Sequence, residues 1–259
     1  MFDGRLYVCF LTRFRYRLTR AYQMTHGIDS HKASILGSEE WLTIPWENFE
    51  KDCLQELFDI GFDVAAFLEL VDSTLMSRDP GLLAQLPTTC FSILEELDMW
   101  RDNNWPSRDA SPWSDSGYGD VDASPPPNDR LTFGSLLEAT SMICYWWFKL
   151  VLDEALSSLQ PSTSRESSYF SDDSSAVQDS LPIGQYASMA LSSNMLTLAT
   201  DIVRAAPVLL AEDTGWVGPQ RMMFPLRAAI QYLGKVRSPV IVEAQTALKS
   251  SFARLRPSC

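Results

Sequence analysis

The stretch Met142-Ile-Cys-Tyr-Trp-Trp-Phe-Lys-Leu-Val-Leu152 lies at the centre of a longer apolar segment, residues 131–159. Apolar side chains recur there at helical spacing in two adjacent stripes, so nearly every face of the predicted helix is apolar. The first stripe contains Leu136, Thr140, Ile143, Trp147 and Val151, and the second contains Leu137, Cys144, Phe148, Leu152 and Ala155. Burying one large apolar side chain contributes about 1.5–3 kcal/mol, so such a helix is expected inside a bundle. The segment therefore predicts an all-α fold, a multi-helix bundle around one buried central helix.

Amphipathic helices are predicted on both sides of this central segment. Residues 46–60 are expected to form the first, with Pro45 in its first turn and Gly61 at its end, since proline suits helix starts and glycine suits helix ends. Pro87 is expected to kink or restart a later helix, and Pro225 is expected in or near the first turn of its own helix. The other helices are predicted from about Asp63 to a break at Asp79-Pro80-Gly81, over 82–100, over 184–210, around Leu226 and over 240–255.

Two segments lack helical periodicity and are rich in Pro, Gly, Ser and Asp, namely 102–130 and 161–182. This composition is typical of long surface loops or disordered inserts. The serines of 161–182 could be phosphorylated, but a solvated linker is the favoured interpretation. We therefore predict that limited proteolysis cuts first in these two segments, and not inside 136–156.

The formal net charge is −12, and the acidic residues are concentrated in the middle of the chain while both ends are basic. An acidic body disfavours nucleic acid, because phosphates require a basic surface. The apolar run 142–152 is shorter than the roughly 20 residues of a membrane-spanning helix, and Lys149 interrupts it. No pattern of a secretory signal opens the chain. We expect a soluble intracellular protein that contacts neither membrane nor DNA.

The chain is predicted to consist of two units. Residues 1–37 form the first, which contains a basic amphipathic helix at 5–25 and a connection. Residues 38–259 form the second, a single helical domain. The apolar stripe of the helix contains Leu6, Cys9, Phe10, Phe14, Leu18 and Ala21, and the arginines around it are Arg5, Arg13, Arg15, Arg17 and Arg20. Such a helix could contact a membrane surface, an import receptor or a partner, but an ordinary outer helix is favoured. We expect it to dock onto the acidic helix 46–60 of its own chain or of a second copy, which predicts some tendency to dimerise.

Metal and cofactor sites are not indicated by the sequence. His26 and His31 are expected in a polar connection without further ligands at suitable spacing. The five cysteines, Cys9, Cys53, Cys90, Cys144 and Cys259, are widely spaced and form no CxxC pair. They are interpreted as reduced core residues, so no cofactor is predicted.

Catalytic residues are not indicated either, and we predict that the protein is not an enzyme. A nucleophilic Ser or Cys needs a base, usually His, and both histidines lie in one early polar segment. The pairs Asp153-Glu154 and Glu95-Glu96 could serve as acid and base on predicted helices. Their favoured interpretation is the solvated face of an acidic bundle.

Three segments together resemble the regulatory domain that follows the zinc cluster in fungal binuclear zinc-cluster transcription factors. The first is Lys32-Ala-Ser-Ile-Leu36 followed by Glu40-Trp-Leu-Thr-Ile-Pro-Trp46. The second is 139–152, whose Tyr145-Trp146 pair is similar to the aromatic centre of a long helix in that family. The third is Gly215-Trp216, then Phe224-Pro-Leu-Arg-Ala-Ala229 and Tyr232. The resemblance covers about residues 30–250, with the segments in the family's order.

The resemblance implies an all-α regulatory module of transcription, nuclear and without catalytic activity, controlled by an effector, by self-association or by a coactivator. Its partners would be proteins of the transcription machinery or a second copy, with an unknown small-molecule effector possible. Full-length family members begin with a six-cysteine cluster and a basic linker, which this chain lacks, so the expectation is either a truncated gene model or a free-standing regulatory domain. The alternative is a small all-α enzyme or ligand-binding protein of a metabolic gene cluster, using acidic residues and aromatics around Tyr145 to Trp147.

Overall fold

The computed structural model describes residues 4–47, 49–105, 133–159, 183–215, 217–242, 244–247 and 249, with 4–14, 183–193 and 212 as backbone only. This part of the chain is helical and contains no strand, as the sequence predicted. The helices are α1 (Gly4–Ser30), α2 (Glu39–Thr43), α3 (Cys53–Ser77), α4 (Pro80–Asn104), α5 (Leu136–Leu159), α6 (Ile183–Leu209) and α7 (Val217–Lys235). Short 3₁₀ turns lie at Ile35–Gly37, Ile44–Trp46 and Glu212–Thr214. Residues 241, 242, 244–247 and 249 are helical within the last predicted helix.

The centre of the bundle is α5, which contacts α3, α4, α6 and α7. Every residue from Ala139 to Phe148 is buried, including the three adjacent aromatics Tyr145, Trp146 and Trp147. The prediction of a buried central helix is therefore confirmed. Most of the predicted insert 102–130 and all of 161–182 fall outside the described residues, so those two predictions remain open.

The prediction that one helix ends at Gly61 and another begins near Asp63 is wrong, because α3 runs through both positions. This helix begins only at Cys53, where the Asp52 carboxylate accepts a hydrogen bond from Gln55 N at 2.9 Å. Pro45 lies in a separate 3₁₀ turn. A Cβ atom on residue 61 would lie 2.8 Å from Phe148 Cζ and 2.9 Å from Met24 Cγ. Glycine is used here for close packing of α1 and α5 on α3, not for ending a helix.

Prolines do not interrupt the helices where interruptions were expected. Pro87 lies inside the continuous α4, so the helix does not restart there, while the alternative of a kink stays a prediction. Pro225 lies in the middle of α7, which begins at Val217, so the prediction of a first-turn position is wrong. The start of α7 packs closely on the end of α6, since a Cβ atom on Gly218 would lie only 1.9 Å from the Leu209 carbonyl oxygen. The predicted break between α3 and α4 is confirmed: Asp79 caps α4 by accepting a hydrogen bond from Gly81 N at 2.8 Å.

The N-terminal helix extends to Ser30, so His26 is helical and not in a loop as predicted. It packs on α3 of the same chain. Its buried face contains Arg20, Met24, Gly27 and Ile28, whereas Leu18, expected on the apolar stripe, is 43% exposed. Within the described residues, no helix is long and apolar enough to cross a membrane.

Candidate functional site

A cleft of about 310 Å³ lies where the end of α1 meets α3, α5 and α7. Its floor is apolar and is formed by Ile28, Leu68, Val71, Trp147, Val151 and Ala155. Its rim is polar and contains Asp29, His31, Asp72, Glu154, Ser158 and Arg227. An apolar floor with a few polar groups around it is the usual composition of a small-molecule site, and the volume is at the lower end of the roughly 300–1,000 Å³ typical of such sites.

The floor is rigid because its main aromatic belongs to the core. The Trp147 side chain is only 2% exposed. Its ring stacks on Phe224 of α7, with ring centroids 6.3 Å apart and planes at 25°. It also contacts Phe148, with centroids 5.3 Å apart. A core residue predicted from sequence thus forms one wall of the cleft.

The rim consists of ion pairs that connect neighbouring helices. Arg227 Nη1 lies 3.0 Å from Asp29 Oδ1 and joins α7 to α1. His31 Nδ1 lies 2.9 Å from Asp72 Oδ2 and joins the end of α1 to α3. Lys235 pairs with Glu154 and joins α7 to α5. Each of these pairs is partly or largely exposed, and such pairs contribute only about 0–1 kcal/mol. They can therefore be rearranged at little energetic cost.

His31 has a left-handed backbone conformation, with φ of 51°. The helix end forms a Schellman motif, in which Lys32 N donates to Gly27 O at 2.8 Å and His31 N to Ile28 O at 3.4 Å. Glycine is the usual residue at this position, and another side chain there is uncommon. The backbone thus holds the imidazole on the rim, facing Asp72.

A second polar cluster joins α4 to α5 around Tyr145. The Tyr145 hydroxyl donates to Asp98 Oδ1 at 2.5 Å, and Lys149 Nζ donates to the same oxygen at 2.9 Å. Arg101 Nη1 donates to the Tyr145 hydroxyl at 3.0 Å. Burial raises the pKa of Tyr145, and its hydrogen bond to Asp98 raises it further. The hydroxyl therefore stays protonated at neutral pH, and the cluster links two helices without supplying a base.

Arg20 is the buried polar residue that the sequence placed incorrectly, among solvent-facing arginines. Its side chain is fully buried and pairs with Asp59 of α3. Nη1 donates to Gln55 Oε1 at 3.3 Å, and the guanidinium carbon lies 5.4 Å from the centroid of the Phe62 ring. Helical spacing in the sequence could have revealed the burial of Arg20, because Arg20, Met24 and Ile28 follow one another at four-residue intervals on the buried face.

Asp153 is not on a solvated face, contrary to the interpretation from sequence. It is 2% exposed, and Asn194 Nδ2 of α6 donates to it at 3.0 Å. Burial raises its pKa, while the Asn194 bond and the charge of Lys149 partly offset this effect. Its neighbour Glu154 is on the cleft rim, and Glu95 and Glu96 are exposed.

The aspartate Asp201 on α6 gives a pH-dependent prediction. It is 8% exposed, and burial raises its pKa to about 6, an effect that the charge of Arg204 only partly opposes. In the unfolded chain the pKa would be about 3.9, so the folded protein holds this proton more tightly. The resulting stabilisation is fully present below about pH 4 and is lost as the pH rises through 6.

We expect Asp201→Asn to raise the free energy of unfolding at pH 7.5 by up to about 3 kcal/mol, at about 1.4 kcal/mol per pKa unit. The difference between variant and wild type should vanish near pH 4. Urea denaturation at the two pH values measures it, and Asp213→Asn, at an exposed position, is the control. Equal effects at both pH values would contradict the assigned protonation.

Cys53, Cys90 and Cys144 are free thiols, and burial raises the pKa of both Cys90 and Cys144 to about 12. Cys90 and Cys144 are thus unreactive core residues, as the sequence predicted, while Cys53 is partly buried and the side chains of Cys9 and Cys259 lie outside the described residues. Among the residues that the structure describes, no three His, Cys, Asp or Glu side chains converge as metal ligands.

The site that emerges is the cleft, which no sequence motif indicated because its lining comes from four helices distant in the chain. No protein-family model, curated protein or solved structure matches the chain. The interpretation of the cleft consequently depends on its own geometry and charge.

Proposed function

We propose that this chain is a non-catalytic regulatory module of the type carried by fungal zinc-cluster transcription factors. It would act in the nucleus through protein partners or through self-association. The observation that supports the proposal is that the segments resembling the family lie close together in the fold, beside the cleft. Trp147 of the second segment stacks on Phe224 of the third, and both segments contribute to the cleft through Trp147 and Arg227. The first segment begins at Lys32, directly after His31 on the rim.

Polar contacts also join the helices that carry or adjoin these segments. Arg221 Nη1 of α7 donates to Thr140 Oγ1 of α5 at 3.1 Å. Lys32 Nζ and Ala33 N both donate to the Glu69 carboxylate of α3, at 3.2 and 2.9 Å. These contacts join helices that are far apart in the chain into one packed unit.

A reporter assay tests this function. The full chain is fused to a DNA-binding domain from another protein and expressed in yeast with a matching reporter gene. We expect reporter transcription to change by severalfold relative to the DNA-binding domain alone, and a fluorescent fusion to accumulate in the nucleus. Unchanged transcription at equal protein level would contradict the proposal, as would turnover of a small-molecule substrate by the purified protein.

The isolated chain is expected to show no appreciable affinity for duplex DNA at physiological salt. Its net charge is −12, and several of its described basic side chains are paired with carboxylates, such as Arg17 with Asp52 and Lys32 with Glu69. Few charges are then available to displace counterions from phosphate. A fluorescence anisotropy titration measures this, and sub-micromolar, sequence-dependent binding would refute it.

A further inference from the structure

We propose that the cleft between α1, α3, α5 and α7 binds a small hydrophobic amine, with its apolar body on the Trp147 floor and its ammonium group at the Asp72 side of the rim. This inference rests on the proposed function only for its consequence, which is that the amine would act as a regulatory effector. The binding itself depends on the cleft alone.

The floor accounts for the apolar body of the ligand. Leu68, Val71 and Trp147 are each less than 5% exposed and present packed apolar surface to the cleft. Packed side chains in a rigid bundle cannot collapse into the space above them. An aliphatic or aromatic group placed there removes its own apolar surface from water without reorganising the helices, and this is the main source of affinity for small ligands.

The size of the cleft limits the ligand to a small molecule. Its volume is about 310 Å³, and its edges are closed by the Asp29–Arg227 pair and the His31–Asp72 pair. One turn of an α-helix, about 10–12 Å in diameter with a rise of about 5.4 Å, already exceeds this volume. One ring or a short alkyl chain fits within it.

The charges on the rim of the cleft determine which polar group the ligand carries. Three carboxylates line the cleft, those of Asp29, Asp72 and Glu154, against one guanidinium and one imidazole. Glu154 is neutralised from outside the lining by Lys235, and Asp29 by Arg227. Among the described residues the recorded partner of Asp72 is His31, whose imidazole is charged only if protonated, and not a lysine or an arginine. An ammonium group would supply a positive charge at Asp72, whereas an anionic ligand would meet the Asp72 carboxylate as a like charge.

The test uses phenethylamine as the probe, with 2-phenylethanol and 3-phenylpropionate as neutral and anionic analogues of similar size. Binding to the full chain is measured by isothermal titration calorimetry and by the thermal shift. We expect saturable binding of the amine, at least about tenfold weaker binding of the alcohol, since a charge-assisted hydrogen bond is lost, and no binding of the anion. Equal binding of all three probes, or of none, would overturn the proposal.

Variants of the rim locate the ammonium group. Asp72→Asn is expected to weaken phenethylamine binding at least about fivefold, because the opposing charge is removed while the side chain keeps its size. The control is Glu56→Gln on an exposed position of the same helix, which should change nothing. His31→Asn keeps a residue that tolerates the left-handed conformation and removes the competing imidazole, so the amine should bind more tightly. If Asp72→Asn binds as wild type does, the assignment fails.

A filled cleft provides a further control. Ala228→Trp occupies the space above the floor and should abolish binding, while circular dichroism verifies the helical fold. If Ala228→Trp does not fold, the Asp72→Asn variant, changed at a more exposed position, decides whether the amine binds in the cleft.

The two proposals fail in different ways. If the reporter response fails while phenethylamine still binds, the proposed function is contradicted and this inference is not. If the reporter responds but phenethylamine does not bind, this inference alone is contradicted.

Discussion

Trp147→Ala is expected to lower the free energy of unfolding by about 3–5 kcal/mol, the usual cost of truncating a buried aromatic. The indole is 2% exposed and stacks on Phe224 across the α5–α7 interface. Its loss removes apolar contacts with both helices and leaves a void that adjoins the cleft. Because the neighbouring side chains are held by four packed helices, the void should not close.

The measurement is the denaturant midpoint of the variant followed by circular dichroism. Trp41→Ala is the matched control: Trp41 is 42% exposed and its ring stacks on Tyr16, so its removal should change stability by about 1 kcal/mol or less. If Trp147→Ala has as small an effect as the control, Trp147 serves the cleft and not the core.

The difference between these two tryptophans was visible in the sequence, because Trp147 is surrounded by apolar residues at helical spacing while Trp41 follows two glutamates. Signals of this kind, which depend only on near neighbours in the chain, predicted the all-α class, α5 and its burial. The α3–α4 break was equally local, since Asp79-Pro80-Gly81 combines a cap, a first-turn proline and a glycine.

Contacts between distant helices were not predictable in the same way. Gly61 was interpreted as a helix end because glycine often ends helices, but the structure places it where Phe148 and Met24 come close to α3. One sequence cannot distinguish a glycine needed for conformation from a glycine needed for space. The cleft belongs to the same class, since Asp72, Trp147 and Arg227 come together only when α3, α5 and α7 pack.

The docking of α1 was expected from its sequence, but the buried arginine on its docking face was not. The basic amphipathic helix 5–25 was expected to dock on the acidic helix 46–60 of its own chain or of a second copy, and in the structure it packs on α3 of its own chain. The side chains of Leu6, Cys9, Phe10 and Phe14 in the expected stripe lie outside the described residues, and Ala21 packs against the core. The expected stripe included Leu18, which is exposed. Arg20 was expected at the protein surface because arginine is rarely buried unless it is paired. In the structure Asp59 is its partner.

Arg20→Ala is accordingly expected to destabilise the protein by about 3 kcal/mol. Removing one partner of a buried ion pair generally costs about 3–5 kcal/mol, because the other charge remains without compensation. The lower value applies since Asp59 keeps Lys51 as a second partner. The substitution also leaves Gln55 Oε1 without its donor and removes a cation that packs against Phe62.

Arg15→Ala is the matched control, because Arg15 is exposed on the same helix and its removal should stay within about 0.5 kcal/mol. Chemical denaturation gives the two stabilities, and hydrogen exchange of the α1 amides reports the docking itself. In Arg20→Ala these amides should exchange faster than in Arg15→Ala, since α1 is held to α3 through this pair. Equal stability and equal exchange in the two variants would show that apolar contacts of Met24 and Ile28 hold α1 without the buried charge.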